Sequence, residues 1–502
     1  MNEGRGDPSG IEMDSSTGRM VLTTVVLGTA VASLTATVVN VALPSLASDL
    51  GAGSSGQKWI VNGYMLTLAS FILIGGSLGD RYGRVRIYRI GVVWFAVASL
   101  LCAVAWSTGA LVAFRLLQGV GGALLTPGSL AIIEASFRRE DRGRGVGAWS
   151  GITGIATAVG PLLGGLLVAL SWRWVFVINI PVAIAVVVLS RWVPETRDDE
   201  ARDAELDLAG AVLSAVVLGA VSYAFIEGPE GGLSPLEVSA AAVGVLAILA
   251  LWWWERRQSH PLLPLDLFAD RPFAVANVLT FLIYGGMGVL FFLLSIQLQV
   301  TAGWSAIEAG TALLPVTLIM LVLSSRAGDL AHRIGPRWPL TIGPFVVAVG
   351  MVLMTRIGPD ASFVGDVLPA VTVFGFGLAA IVAPVTTTAL SLAPDARAGA
   401  ASGTNNAVAR AGGLLAVAVI PGVVGLTGDA LSTPDVLDAG FGSAMLLSAA
   451  LVAIGGVVAL VFLRSDDLVD LDCNEDHEDH EDVYVHGCPV DGQLTSLRSN
   501  EE

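Results

Sequence analysis

The sequence predicts an all-α, polytopic membrane protein, and three observations carry that reading. Of 502 residues, 54% are hydrophobic and only 14% are charged, where soluble domains average about 25% charged. Apolar runs of about 20 residues, the length that spans a bilayer, recur along the chain with short breaks of Arg, Asp, Pro and Gly. Runs such as 178–189 and 240–254 are apolar on every face, whereas a transmembrane barrel alternates. A barrel is therefore excluded. The 59 glycines, above the usual share of about 7%, suit helices that approach closely or bend.

Taken in order, the chain opens with a polar segment at 1–18 and an apolar run at 20–46. A secretory signal has a basic start and a shorter apolar stretch, so an uncleaved first span is expected. Runs long enough to cross fall at about 20–43, 58–79, 87–106, 109–134, 145–170, 173–193, 207–226, 236–254, 273–299, 307–325, 338–356, 366–392, 402–426 and 441–463. Fourteen spans place both termini on one side. The loops after even-numbered spans carry eighteen arginines, from Arg81 to Arg397, against Lys58, Arg173 and Arg356 on the other side. The positive-inside rule makes the arginine-rich side and both termini cytoplasmic, in a multi-pass protein of the plasma membrane.

The net charge of −16 belongs mostly to the end of the chain: residues 466–502 hold 13 acids and one arginine. With no basic stripe, nucleic acid is not a partner. Like-charge runs are disordered as a rule, and the tail's His477, His480, His486, Cys473 and Cys488 match no tetrahedral metal spacing, so no metal is expected. Cys102 lies inside an apolar run. No phosphate-binding G-x-x-x-x-G-K-[ST] loop is present, and no cofactor is expected.

An internal repeat sets Gly79-Asp80-Arg81-Tyr82-Gly83-Arg84, after span 2, against Ala331-His332-Arg333-Ile334-Gly335-Pro336-Arg337, after span 10. A weaker echo pairs Asp141-Arg142-Gly143-Arg144-Gly145 with Asp395-Ala396-Arg397-Ala398-Gly399. The predicted organisation is a tail (1–18), a six-helix bundle (19–195), a linker with spans 7 and 8 (196–271), a second six-helix bundle (272–464) and the acidic tail (465–502). Parallel repeats of this kind place a substrate path between the halves, near the midplane.

Several segments carry chemistry. In the turn between spans 2 and 3, Gly76 and Gly83 permit close approach and a tight turn, while Asp80, Arg81 and Arg84 can form an ion-pair latch or simply a solvated basic turn. In span 4, Arg115 stands at membrane depth, where a guanidinium needs partners or water. Gln118 shares its face. In span 5, Gly160-Pro161-Leu162-Leu163-Gly164-Gly165 combines a lost backbone donor with small residues, which suits a hinge or close packing.

These segments together resemble the major facilitator superfamily, in its fourteen-span drug:proton antiporter branch, over about residues 20–465. The span 2–3 turn, the span 4 stretch Leu111-Val112-Ala113-Phe114-Arg115-Leu116-Leu117-Gln118-Gly119, the span 5 motif and Trp172-Arg173-Trp174-Val175-Phe176-Val177-Ile178-Asn179-Ile180-Pro181 are similar to that branch and stand in its order. The resemblance implies the major facilitator fold, export of drugs or metabolites, proton antiport with Arg115 in proton coupling, and no enzymatic activity. The expected partners are a small-molecule substrate, protons and lipid; the sequence encodes no oligomeric state.

Span 1 departs from the branch. Relatives carry an Asp where this chain has Thr35, and a hydroxyl does not titrate at physiological pH. Coupling then uses another group, or the carrier is a uniporter. Glu134, toward the cytoplasmic end of span 4, is the alternative proton carrier or an interfacial carboxylate beside Arg138, and Glu227 is a loop residue. Thr35, Asn40 and Gln118 are candidate cavity residues, with Asn405, Asn406 and Arg410 of span 13; there, interhelical hydrogen bonding is the competing role. Trp59 and Tyr64 read as interfacial anchors. Phe291 and Phe292 line an apolar pocket or contact lipid. A transporter-derived sensor acting through the acidic tail is the rival from another class.

Overall fold

A bilayer core offers the polar backbone of an apolar segment no water to bond, so its amides are satisfied within helices. The computed structural model describes residues 10–197, 206–231, 234–258, 261–263, 265–335, 337–391 and 398–463. Among them the only extended pairing is an isolated bridge between Ile11 and Phe137. The acidic tail, the linker around Arg202 and the loop with Asp395 and Arg397 lie outside the described residues.

The first half holds α1 (Ser16–Leu50), α2 (Ser54–Tyr82), α3 (Arg84–Ala103), α4 (Thr108–Ser136), α5 (Arg139–Leu170), α6 (Trp174–Val177) and α7 (Asn179–Leu189). The inserted pair is α8 (Leu208–Gly231) and α9 (Pro235–Glu255). The second half holds α10 (Arg271–Ile296), α11 (Ala306–Thr311), α12 (Leu314–Ile334), α13 (Arg337–Met354), α14 (Leu368–Ser391), α15 (Ala398–Val423) and α16 (Pro434–Phe462). Thirteen helical stretches among the described residues are long and apolar enough to cross a membrane, against fourteen predicted runs. The run expected at 145–170 lies in α5, whose shorter apolar part is Val159–Leu170.

Local chemistry sets the boundaries. Ser15 Oγ accepts the Gly18 N–H at 3.0 Å to open α1, and Gly51, at φ +64°, closes it. Gly83 alone separates α2 from α3 at φ +107°, a region that disfavours side chains with a Cβ. Span 6 is broken at Ile178 between α6 and α7, and span 10 between α11 and α12.

The two halves repeat one pattern of packing. α2 and α3 pack on α4 as α12 and α13 pack on α14, and α1 packs on α5 as α10 packs on α15. Between the halves, α2 meets α15 and α5 meets α11 and α12, a reciprocal arrangement. The inserted pair packs on itself and against α2 and α15.

One apolar cluster, including Leu43, Ile60, Leu111 and Phe176 from the first half and Phe292, Phe374 and Phe441 from the second, runs across the seam. Its first-half members lie toward the arginine-poor end. Hydrogen bonds join the halves at that same end: Ser54 N–H to Gly428 O at 2.8 Å, Leu431 N–H to Ser54 Oγ at 3.2 Å, and Gln299 Nε2 to Val41 O at 3.0 Å.

Candidate functional site

Inside the first bundle the polar residues form a connected chain. Arg115, only 1% exposed, donates from Nε to Ile60 O at 3.0 Å and from Nη1 to Gln118 Oε1 at 2.5 Å. Its guanidinium lies 4.5 Å from the Tyr64 ring centroid, where the π face favours a cation. Gln118 Nε2 donates to Ser99 Oγ at 2.7 Å, and Asn179 Nδ2 donates to the same oxygen at 3.2 Å. The Thr35 hydroxyl lies 3.1 Å from Asn179 Oδ1 and 2.8 Å from Val31 O. The chain thus links α4, α3, α7 and α1 and contains no carboxylate.

That chain is poorly built to pass a proton. Donors from the Gln118 side and from the Asn179 side converge on Ser99, and its amide members do not titrate. Glu134 is exposed and stands nineteen residues beyond Arg115 on α4, roughly 28 Å along the axis. The structure does not bring the two together.

The second bundle presents a contrast. Asn405 Nδ2 donates to Thr280 Oγ at 2.9 Å and to Asn277 Oδ1 at 3.3 Å, tying α15 to α10. Asn406 is exposed, while Arg410 is half-buried. Arg410 Nε is buried and makes no hydrogen bond among the described residues. Asn40 Oδ1 is likewise buried without a partner among the described residues, and so are both side-chain polar atoms of Asn62; such groups imply water or a ligand.

In the α2–α3 turn, Arg84 Nε pairs with Asp80 Oδ1 at 2.8 Å, across Gly83 rather than to a distant helix. Arg84 Nη1 reaches Ala131 O of α4 at 3.4 Å, and Gly76 faces Pro127 of α4. Arg81 lies 5.4 Å from the Tyr82 ring centroid. Glu195, after span 6, accepts the Val85 N–H at 2.9 Å, so it caps α3. Nearby, Glu12 and Asp141 tie the N-terminal segment to the α4–α5 turn: Arg138 pairs with Glu12 at 2.6 Å, and Asp141 accepts the Met13 N–H at 3.0 Å. That hydrogen bond, followed by Arg144, holds the Asp141 carboxyl below its usual range.

The span 5 motif forms two close contacts on two faces of α5. A Cβ on Gly160 would overlap Thr37 Oγ, and one on Gly164 would come within 3.2 Å of Val38 O, both on α1. On the other face, a Cβ on Gly165 would stand 2.5 Å from Ala306 O, and one on Gly310 would overlap Pro161 O. The glycines let the backbone of one bundle touch the backbone of the other.

Three expectations are corrected. Tyr64 is 1% exposed and packs edge-on to Phe95 at 6.4 Å, not at an interface. Phe292 is wholly buried and Phe291 packs on Phe374, so Phe292 does not contact lipid. Glu227 is no mere loop residue: it accepts from Ser55 Oγ at 2.5 Å and Trp59 Nε1 at 2.8 Å, fastening α8 to α2. Sequence reading also missed Ser99, Asn62 and Glu195. For Ser99 and Asn62 a lone polar residue in an apolar run was the only signal, and Glu195 lies in the polar segment after span 6.

Two helix bundles of like packing, meeting along a glycine-lined seam beside buried polar groups, define a membrane carrier. The chain belongs to the Major Facilitator Superfamily, whose model matches residues 25–417. It is 33% identical over 426 residues to the tetracenomycin C resistance and export protein of Streptomyces glaucescens, covering 83% of this chain and 79% of that one. It is 36% identical over 392 residues to a puromycin resistance protein of Streptomyces alboniger, covering 77% and 78%. Its fold is similar to the crystal structure of a POT family transporter in complex with a thioalcohol-conjugated peptide, at TM-score 0.66 and 14% identity, covering 90% of this chain and 98% of that one.

Proposed function

We propose that this chain is an exporter of small apolar or amphipathic molecules, drugs or endogenous metabolites among them, working by alternating access of two six-helix bundles. The observation that carries the reading is the seam itself: backbone contacts at Gly165 and Gly310, with polar groups buried beside it, in a chain whose relatives are named for antibiotic resistance and export. The arginine-rich end and both termini face the cytoplasm, in the plasma membrane, and α5 supplies the fifth of fourteen spans. The bonds from Ser54 to Gly428 and Leu431 then close the outer end. Gly160, Pro161, Gly164 and Gly165 act as the pivot, and Asp80, Arg81 and Arg84 as the latch of the cytoplasmic turn.

Proton antiport is the coupling that the resemblance suggests, with Arg115 and Glu134 as its groups. A second reading, a uniporter or a carrier coupled in another way, is favoured by one observation: the chain from Arg115 to Thr35 holds no carboxylate. The test is efflux of a fluorescent lipophilic cation and of a neutral dye, with and without an imposed pH gradient, from wild type and Arg115→Ala. Gradient-dependent flux lost in the variant supports antiport; flux indifferent to the gradient removes it and leaves uniport. If neither dye moves in the wild type, export of lipophilic cations and neutral amphipaths is refuted.

A further inference from the structure

Charge bookkeeping across the membrane-embedded region leaves an imbalance. No Asp or Glu stands in the middle of any span, and the ion pairs of the described residues lie at helix ends, such as Arg84 with Asp80 and Arg173 with Asp49. Arg115 and Arg410 are therefore two positive charges at membrane depth with no negative side chain to offset them. Arg115 is satisfied by dipoles from Ile60 O, Gln118 Oε1 and the Tyr64 ring. Arg410 is not: its Nε is buried and unbonded among the described residues. A guanidinium offers five donors in a fork suited to a carboxylate.

Position adds a second argument. On α15, Gly403 abuts Leu73 of α2, and Ala407 packs on the cluster that contains Tyr64 and Leu68. Arg410 lies three residues beyond Ala407, on the same helix face, and therefore faces the seam where the two bundles part. The Tyr64 π face on that side is already taken by Arg115.

We propose that the cargo is an anionic amphipath whose carboxylate or phenolate is held by Arg410 at the seam of α2 and α15; this rests on the export reading. The anion supplies the missing charge and takes the unbonded donor. Repulsion from two fixed cations disfavours a cationic ligand. The assignment also bears on energetics. An inside-negative potential drives a monovalent anion outward by about fiftyfold in concentration ratio per 100 mV, so export proceeds without an acid at position 35.

The test uses the purified full chain, with 6-carboxyfluorescein as the anionic probe, ethidium as the cationic one and Nile red as the neutral one. Binding is read by fluorescence anisotropy in detergent and export by flux from proteoliposomes, for wild type, Arg410→Gln and Arg410→Lys, each checked for helicity by circular dichroism. The expected result is anion binding weakened about tenfold or more in Arg410→Gln, the value of one charge-assisted hydrogen bond, and largely restored in Arg410→Lys. Anion binding equal in wild type and Arg410→Gln overturns the proposal. Export of ethidium or Nile red without binding or export of the anion also overturns it, while the export reading survives. Anion binding that needs Arg410, with no probe exported, supports the site and defeats the export reading instead.

Discussion

Arg115 and Arg410 pose the same electrostatic problem in the two bundles and meet it differently. Arg115 has its guanidinium bonded to Gln118 and Ile60 and laid over Tyr64. Arg410 has none of these, and its Nε is buried without a hydrogen bond among the described residues. A buried cation held by neutral dipoles has its donors occupied, whereas one left with an idle donor has a bond still to offer. The difference teaches that membrane depth by itself does not define function; the state of the partners does.

Stability separates the two most sharply. Arg115→Ala removes the bonds to Ile60 and Gln118 and leaves a void under Tyr64, at a cost of about 3 kcal/mol. Arg410→Ala loses no hydrogen bond at Nε among the described residues and costs below about 1 kcal/mol. Chemical unfolding in detergent micelles measures both, and equal losses would erase the distinction.

At the seam, Gly310→Ala drives a methyl into Pro161 O. It should weaken closure of the arginine-poor end by about 1–3 kcal/mol. Disulfide trapping between Ser54→Cys and Leu431→Cys reads that closure, and unchanged trapping would show that the backbone contact does not hold the halves together.

A smaller effect is expected inside the first bundle. Asn179→Ala strands Thr35 from Ser99 and costs about 1 kcal/mol, again by unfolding, with Arg115 still bonded to Gln118. Thr35→Asp sharpens the same point from the other side, since it places a titratable group in the chain: dye efflux should become dependent on the pH gradient. Flux that stays indifferent would mean that an acid at this position is insufficient for coupling.

The smallest effect lies outside the spans. The Met13 N–H bond, with Arg144 behind it, lowers the Asp141 carboxyl below its free value of 3.8. A depressed folded pKa contributes stability above the free value that is lost as pH falls below it. Protection of the Met13 amide, its exchange relative to the intrinsic rate, should therefore fall below about pH 4, and Asp141→Asn should remove that acid dependence.

Much of the architecture is legible in the sequence because it rests on local rules. Span length, arginine bias and the Gly83 turn follow from hydropathy, charge and φ alone, and Arg115 with Gln118 was recognisable as a pair because three residues is nearly one helical turn. Spacing decides less elsewhere. Asn406 and Arg410 stand four apart, yet Asn406 is exposed while Arg410 has its Nε buried, and Phe292, in a run equally apolar on all sides, lies in the core. A helix that is apolar all round carries no mark of which side faces lipid.

The sequence by itself therefore determined that the chain is a helical membrane protein built as a repeat, with two arginines and almost no acids at membrane depth. Only the tertiary structure decided which polar groups meet. Thr35 and Asn179 are 144 residues apart in sequence, and Ser99 receives donors from two other helices. Such pairings depend on how each helix is rotated and where neighbouring backbones touch. Those are set by the packing of whole faces, through contacts such as Gly165 on Ala306, rather than by any residue's immediate neighbours along the chain.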